Sequence, residues 1–283
     1  MYLTEDNKII KKFLDLKSRR ESALICYVVG GYPSFSATET IISALVLGGA
    51  DMIEVGIPFS DPIADGPSIQ RASFEALSRG VTAHKCLELS RKIRSKFSDL
   101  PILAMTYSNI PFKRGFKEFL CESKMAGIDG LILPDMGLEE SGPYVKYSMD
   151  LDMATVFLVS PNTSNSRIRK ILTYSSGFTY VVSVLGTTGA RKSIDNYSIT
   201  AIKKIRKIAN KNMNLAVGFG ISQPYQAGLI IQAGANAVII GSAIIDKISQ
   251  ARSIPDMKSS LKLFARSMKK ACATHSQLQE KSN

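Results

Sequence analysis

Short apolar runs recur along this chain, and each is followed by a longer segment in which apolar residues return every three or four positions. The runs are LICYVVG (24–30), DMIEVGI (51–57), ILAMTY (102–107), GLILPD (130–135), TVFLVS (155–160), FTYVVSV (178–184), NLAVGFG (214–220) and NAVIIGS (236–242). They are nearly continuous in apolar character, as strands of a parallel sheet covered by helices are. The segments between them, among them 37–49, 116–127, 167–176 and 225–234, have helical periodicity, and several close on glycine. Eight such alternations predict an α/β fold, a (β/α)8 TIM barrel. A doubly wound open sheet is the alternative, but GGYPS after the first run is no dinucleotide fingerprint. An extra amphipathic helix is expected in MYLTEDNKIIKKFLDL before strand 1. Added helical structure, VTAHKCLELSRKIRSKF, is expected between strands 2 and 3, and a last helix near 255–273. No linker divides the chain, so one barrel domain is expected over 1–276, with a frayed tail at 277–283.

Composition narrows the class. The chain has 283 residues, 45% hydrophobic and 21% charged, enough to bury a large core. No apolar run reaches the roughly 20 residues that span a bilayer, and the N-terminus does not read as a signal peptide. The expectation is a cytoplasmic protein with no membrane partner. Cys26, Cys86, Cys121 and Cys272 are scattered without metal spacing, and only His84 and His275 are present, so free thiols and no metal site are expected. The net charge of +12 is spread over helical stretches, with no aromatic-interleaved basic motif, and predicts no nucleic-acid partner.

Two carboxylates stand out. Glu54 lies inside an apolar run, where its neighbours Ile53 and Val55 point to the opposite face and leave Glu54 facing the barrel interior. Burial there raises a carboxyl pKa toward neutrality, as proton exchange requires. Pairing with a buried Lys or Arg, or a strand register shifted by one residue, is the structural alternative. Asp65 follows in a loop stiffened by Pro58, Pro62 and Pro67, and presents a carboxylate with little ordering cost. Its structural alternative is an N-cap for a helix starting near Ser68, and that of Asp61 is turn formation. GFGIS (218–222) and GSAII (241–245) follow strands 7 and 8, where small residues let backbone amides approach a phosphate, with Ser242 adding a hydroxyl. GTTGA (186–190) after strand 6 has the make-up of a lid.

The stretch EVGIPFSDPIADGPSIQ (54–70) closely resembles the signature of the tryptophan synthase alpha chain family. The resemblance extends over about 15–250, through YVVGGYP (27–33), MTYSNI (105–110), LPD (133–135), FTYVVS (178–183), GTTGAR (186–191), VGFGIS (217–222) and VIIGSA (238–243). It implies retro-aldol cleavage of indole-3-glycerol phosphate, a small-molecule phosphate substrate, to indole and glyceraldehyde 3-phosphate. By resemblance Glu54 is the catalytic acid and base, Asp65 holds the indole N–H, and Tyr180 stands beside them. Thr188 matches the lid threonine, and Gly186, Phe219, Gly220, Gly241 and Ser242 match the phosphate cradle. Tyr27, Met105, Phe219 and Ile239 match positions near the indole pocket, though the residues alone would equally fit a core.

The resemblance also implies a partner. Indole would pass through a tunnel to a tryptophan synthase beta chain in an alpha2beta2 heterotetramer, where it is joined to serine in the last step of L-tryptophan biosynthesis. Pyridoxal phosphate (PLP) would sit in the beta chain, with no cofactor in this one. The implied interface is Pro58, Phe59, Asp61 and Pro62 after strand 2, Asn109, Ile110, Pro111 and Phe112 after strand 3, and Asp135 after strand 4. Two departures stand near these parts. PDMGLEES (134–141) replaces the usual PDLPxEE, and Thr187 replaces an apolar lid residue. A stand-alone lyase and a non-catalytic activator of the beta chain are the competing readings. The intact Glu54, Asp65 and Tyr180 argue against the second.

Overall fold

In the computed structural model, residues 3–182, 196–210, 212–218 and 220–276 are described. Nine strands pair in parallel: β1 (Ala23–Val29), β2 (Met52–Gly56), β3 (Ile102–Met105), β4 (Gly130–Ile132), β5 (Ala154–Val156), β6 (Leu158–Val159), β7 (Thr179–Val182), β8 (Leu215–Gly218) and β9 (Ala237–Ile240). Their order in the sheet is β5-β4-β3-β2-β1-β9-β8-β7-β6. Its two ends, β5 and β6, are parts of one run separated by Phe157 alone. Phe157 O accepts from Tyr180 N and Thr155 O from Ser176 N, which bridges the gap. The result is a barrel of eight staves. The expected strand at 155–160 is thus one stave with a break, which the sequence pattern does not show.

The expected strands lie where the pattern put them, but the third and fourth run too long at their C-terminal ends. β3 stops at Met105 and β4 at Ile132, yet Thr106, Tyr107 and Leu133 remain buried. Apolar character outlasts the ladder because the chain turns into loops that still pack in the barrel mouth. Ser242, placed at the end of strand 8, is instead the first residue of the helix Ser242–Gln250. The N-terminal helix starts only at Lys8, where the Asn7 side chain accepts from Ile9 N. Before it, Thr4 bonds to Asp152 through N and Oγ1. Ile9 then lies against Gly130 and Gly177 at the bottom of the barrel. Two helices, Pro67–Ser78 and Ala83–Lys96, connect β2 to β3. The last helix, Ile254–Ser276, buries Met257, Leu261, Ala265, Met268 and Cys272.

One device recurs four times at the bottom. Asp51, Asp129, Ser176 and Asn236 each precede an even-numbered stave, and each accepts from the first ladder N–H of the stave before it. The donors are Leu24 N (2.7 Å), Ile102 N (2.9 Å), Thr155 N (2.9 Å) and Leu215 N (2.9 Å). Each acceptor residue returns its own N–H to the carbonyl of the same partner. Three of the acceptors are held in turn by helix cations: Lys269 on Asp51, Arg94 on Asp129 and Arg206 on Asn236. Strand ends that would otherwise hold orphaned donors are therefore satisfied, and stave pairs are locked in register.

Candidate active site

Glu54 stands in β2, in register with Tyr27 of β1 and Leu103 of β3, all three on the barrel's inner face. It is 1% exposed, and its Oε2 has no hydrogen-bond partner among the described residues. Burial, and after it the nearby Asp65, pushes its carboxyl up to about 8. No cation offsets that shift among the described residues, so the buried ion pair considered from sequence does not form.

Asp65 is not a helix cap. The helix Pro67–Ser78 is capped at Gly66 without a side-chain bond. The Asp65 Oδ2 accepts instead from the Tyr107 hydroxyl at 3.0 Å. Burial raises this carboxyl to about 6, against the lowering effect of the Tyr107 bond. Asp61 does behave as a turn residue, with its carbonyl accepting from Ile63 N and its carboxylate from Ser60.

Two tyrosines flank the acids, and each relies on a missing side chain. A Cβ on Gly56 would fall on the Tyr27 hydroxyl, and a Cβ on Gly218 on that of Tyr180. Glycine at the mouth end of β2 and β8 thus makes room for a ring from the neighbouring stave. Both phenols are pushed well above their usual range by burial first and by Asp65 and Glu54 next, so both stay neutral.

A cavity of about 410 Å³ opens over this group, with Tyr27, Glu54, Asp65, Met105, Tyr180 and Ile239 in its wall. Gly220, Gly241, Ser242 and Ala243 form another part of the wall. There the helix Ser242–Gln250 begins. Its first bonds, from Ile244 N and Ile245 N, close on Gly241 O, so the Ser242 and Ala243 N–H groups precede the helical ladder. Those amides and the positive end of the helix suit an anion. The loop after β8 gives less than its sequence suggests. Ser222 N and Gln223 N both donate to the buried Gln226 Oε1, at 2.8 and 2.9 Å, which leaves Gly220 and Ile221. Ser68 Oγ donates to Asp246 Oδ1 at 2.7 Å, joining the segment after Asp65 to the same helix. Gly186, Thr188 and Phe219 lie outside the described residues.

The structure therefore gathers Glu54, Asp65, Tyr180, Tyr27, Met105, Ile239, Gly220, Gly241 and Ser242 at one cavity. The expected partner residues divide. Asp61, Asn109 and Phe112 are exposed, and Phe59, Pro62 and Ile110 are half-buried. Pro58 and Pro111 are buried, the second on the inner side of the short helix Asn109–Arg114. Asp135 is turned inward to accept from Ser108 N and Oγ. Ile63, 83% exposed, is a surface residue that the motif reading passed over. Tyr107 and Gln226, both buried beside the site, were not singled out by the sequence either. Only their position, at the end of strand 3 and in the first turn after strand 7, hinted at them. No group of three or more His, Cys, Asp or Glu that could hold a metal occurs among the described residues. The four cysteines are free, three of them buried.

Residues 13–273 match the family model of the tryptophan synthase alpha chain. The chain belongs to that family. It is 41% identical over 269 residues to the tryptophan synthase alpha chain of Methanosarcina barkeri, covering 94% of this chain and 97% of that one. Among solved structures it is similar to the tryptophan synthase alpha chain of Legionella pneumophila, with a TM-score of 0.85 at 30% identity over 94% of this chain and 97% of the other. It is also similar to a chain of the tryptophan synthase complex from Pyrococcus furiosus, with a TM-score of 0.80 at 31% identity over 88% and 98% of the two. No helix among the described residues is long and apolar enough to cross a membrane.

Proposed function

We propose that this chain cleaves indole-3-glycerol phosphate by a retro-aldol reaction and delivers the indole to a PLP-dependent beta chain. The observation that carries the reading is the pair of carboxyls with separated proton affinities, Glu54 near 8 and Asp65 near 6, in one cavity. At pH 7 the first is mainly an acid and the second mainly an anion, as two different tasks require. Glu54 gives its proton to indole C3, and the ring becomes cationic at nitrogen. Asp65 faces that N–H and stabilises the charge. The Glu54 carboxylate then takes the proton of the glycerol hydroxyl beside the ring. Its oxygen electrons form the aldehyde C=O, and the breaking C–C bond returns its pair to the ring. Indole and glyceraldehyde 3-phosphate leave, and Glu54 is again protonated. Tyr27, Met105, Tyr180 and Ile239 supply the apolar wall for the ring. The Ser242 and Ala243 amides with Gly220 and Gly241 hold the phosphate, and Gly186, Thr188 and Phe219 are assigned here on family likeness alone.

The partner reading rests on a face beside the site. Ile63 after β2 and Phe112 after β3 are large apolar side chains 83% and 76% exposed. Phe59 connects this face to the site by stacking on Tyr107 at 5.1 Å. Family membership and the Pyrococcus furiosus complex support a partner there, and the beta chain and alpha2beta2 assembly are assigned on the sequence resemblance. The test is indole release by the purified chain, alone and with a beta chain, PLP and serine, beside Glu54→Gln. Slow release alone, strong stimulation by the beta chain and none in the variant support the reading. Fast release unaffected by a beta chain would leave a stand-alone lyase. Stimulation of the beta chain without cleavage would leave an activator.

A further inference from the structure

The environment of Asp65 contains a residue to which the reaction as written gives no role. Tyr107 leaves the end of β3 buried, at 4% exposure. Its hydroxyl oxygen accepts from Ala64 N at 3.0 Å and lies 3.0 Å from Asp65 Oδ2. A phenol has one proton to give, and the amide of Ala64 has none to accept. The direction is therefore fixed: Ala64 N–H donates to Tyr107, and Tyr107 donates to Asp65. Both contacts fall on consecutive residues of the same loop, so one phenol grips the chain and its carboxylate together. The ring is fixed from two other sides. It stacks on Phe59, with planes 22° apart. The next residue, Ser108, is anchored through N and Oγ to Asp135, with Ser108 Oγ at 2.6 Å from Oδ2.

We infer that Tyr107 is a positioning residue that holds Asp65 in place and in its ionised form for the ring nitrogen. The inference rests on the proposed reaction for its purpose but not for its geometry. Four groups bear on the Asp65 carboxyl: Glu54 from β2, Tyr27 from β1, Tyr180 from β7 and Tyr107 after β3. Glu54 is mainly neutral at pH 7. Tyr27 and Tyr180 are phenols whose ionisation Asp65 opposes. Tyr107 donates a hydrogen bond to the carboxylate, and that bond favours its charged form. Without it, the carboxyl would be free to turn from the cavity and to take up a proton near neutral pH.

Tyr107→Phe tests this, because it removes the hydroxyl and keeps the ring that stacks on Phe59. Two readouts are needed in the full chain. The first is the titration of the Asp65 carboxyl carbon by NMR with ¹³C-labelled aspartate, assigned with Asp65→Asn. The second is the pH dependence of kcat and KM for indole release. The expected result is a higher Asp65 midpoint in Tyr107→Phe, an acid limb of kcat displaced upward with it, and kcat at pH 7 down about tenfold, with KM within about twofold. An unchanged midpoint in a folded Tyr107→Phe protein overturns the inference, whatever the activity. A shifted midpoint in a chain whose wild type cleaves nothing overturns the proposed reaction and leaves the positioning of Asp65 standing.

Discussion

Replacing Glu54 with Gln should make the protein more stable at alkaline pH while abolishing cleavage. The side chain is 1% exposed, and its carboxyl is pushed from 4.5 to about 8 in the folded state. Between those values the folded chain keeps a proton that the unfolded chain has released. The folded state binds more protons, so unfolding free energy falls as pH rises through this window and levels off above about 8. The slope is about 1.4 kcal/mol per pH unit, so from pH 5 to pH 8 the wild type loses about 4 kcal/mol through Glu54. Gln has nearly the same shape and no such titration. Its amide does lack a partner, at a cost of about 1–3 kcal/mol, but that cost is the same at every pH. Asp65 titrates in both proteins and largely cancels. The quantity to measure is therefore the difference of differences. Urea unfolding of wild type and Glu54→Gln at pH 5 and pH 8 should show the variant gaining about 4 kcal/mol on the wild type between the two. If the gap between the proteins stays constant within about 1 kcal/mol, Glu54 is not held as a buried acid and its assigned role fails.

Three further outcomes follow from other parts of the molecule. The pH profile of kcat/KM should be a bell, with Asp65 setting the acid limb near 6 and Glu54 the alkaline limb near 8, and Asp65→Asn should abolish the acid limb. Gly218→Ala should displace Tyr180, whose hydroxyl occupies the place of the new methyl; steady-state kinetics should show at least tenfold loss of kcat/KM, and urea unfolding a cost of about 1–3 kcal/mol. Arg94→Ala should cost about 3–5 kcal/mol in urea unfolding, because it leaves the nearly buried Asp129 without its cation, whereas Arg167→Ala, at the exposed pair with Glu139, should not move the unfolding midpoint.

The parts of this molecule that the sequence made legible are those whose physics is periodic. Strands covered on both faces must be apolar throughout, so runs such as LICYVVG and NAVIIGS announced β1 and β9. Glu54 was legible for the converse reason: one carboxylate in such a run violates the pattern that surrounds it. What escaped depends on distance through space. Asp51, Asp129, Ser176 and Asn236 each look like an ordinary polar residue before a strand, and only the register of the neighbouring stave turns them into clamps. Tyr107 was hidden within an apolar run, where a tyrosine reads as core. Its role appears only when the loop carrying Asp65 folds over it. Pro58 and Pro111 differ from their neighbours in the other direction, since proximity in sequence to half-buried Phe59 and exposed Phe112 did not make them accessible.

The two ends of the barrel treat polar groups in opposite ways, and the difference explains how Glu54 is tolerated. At the bottom every clamp acceptor has donors, and three have a cation as well. At the mouth, Glu54 Oε2 has none among the described residues, and Gly56 and Gly218 give up side-chain packing to admit two tyrosines. An unsatisfied buried carboxyl destabilises the fold by the desolvation that also makes it an acid near pH 7. A donor placed on it would relieve that cost and, by favouring the charged form, pull its pKa down and remove the proton the reaction needs. The destabilised group must therefore stay destabilised, and the offset must come from residues far from it. The bottom clamps are such residues. They lock stave pairs in register without touching the mouth, so the loops above can hold Asp65 and Tyr107 at the geometry the chemistry sets.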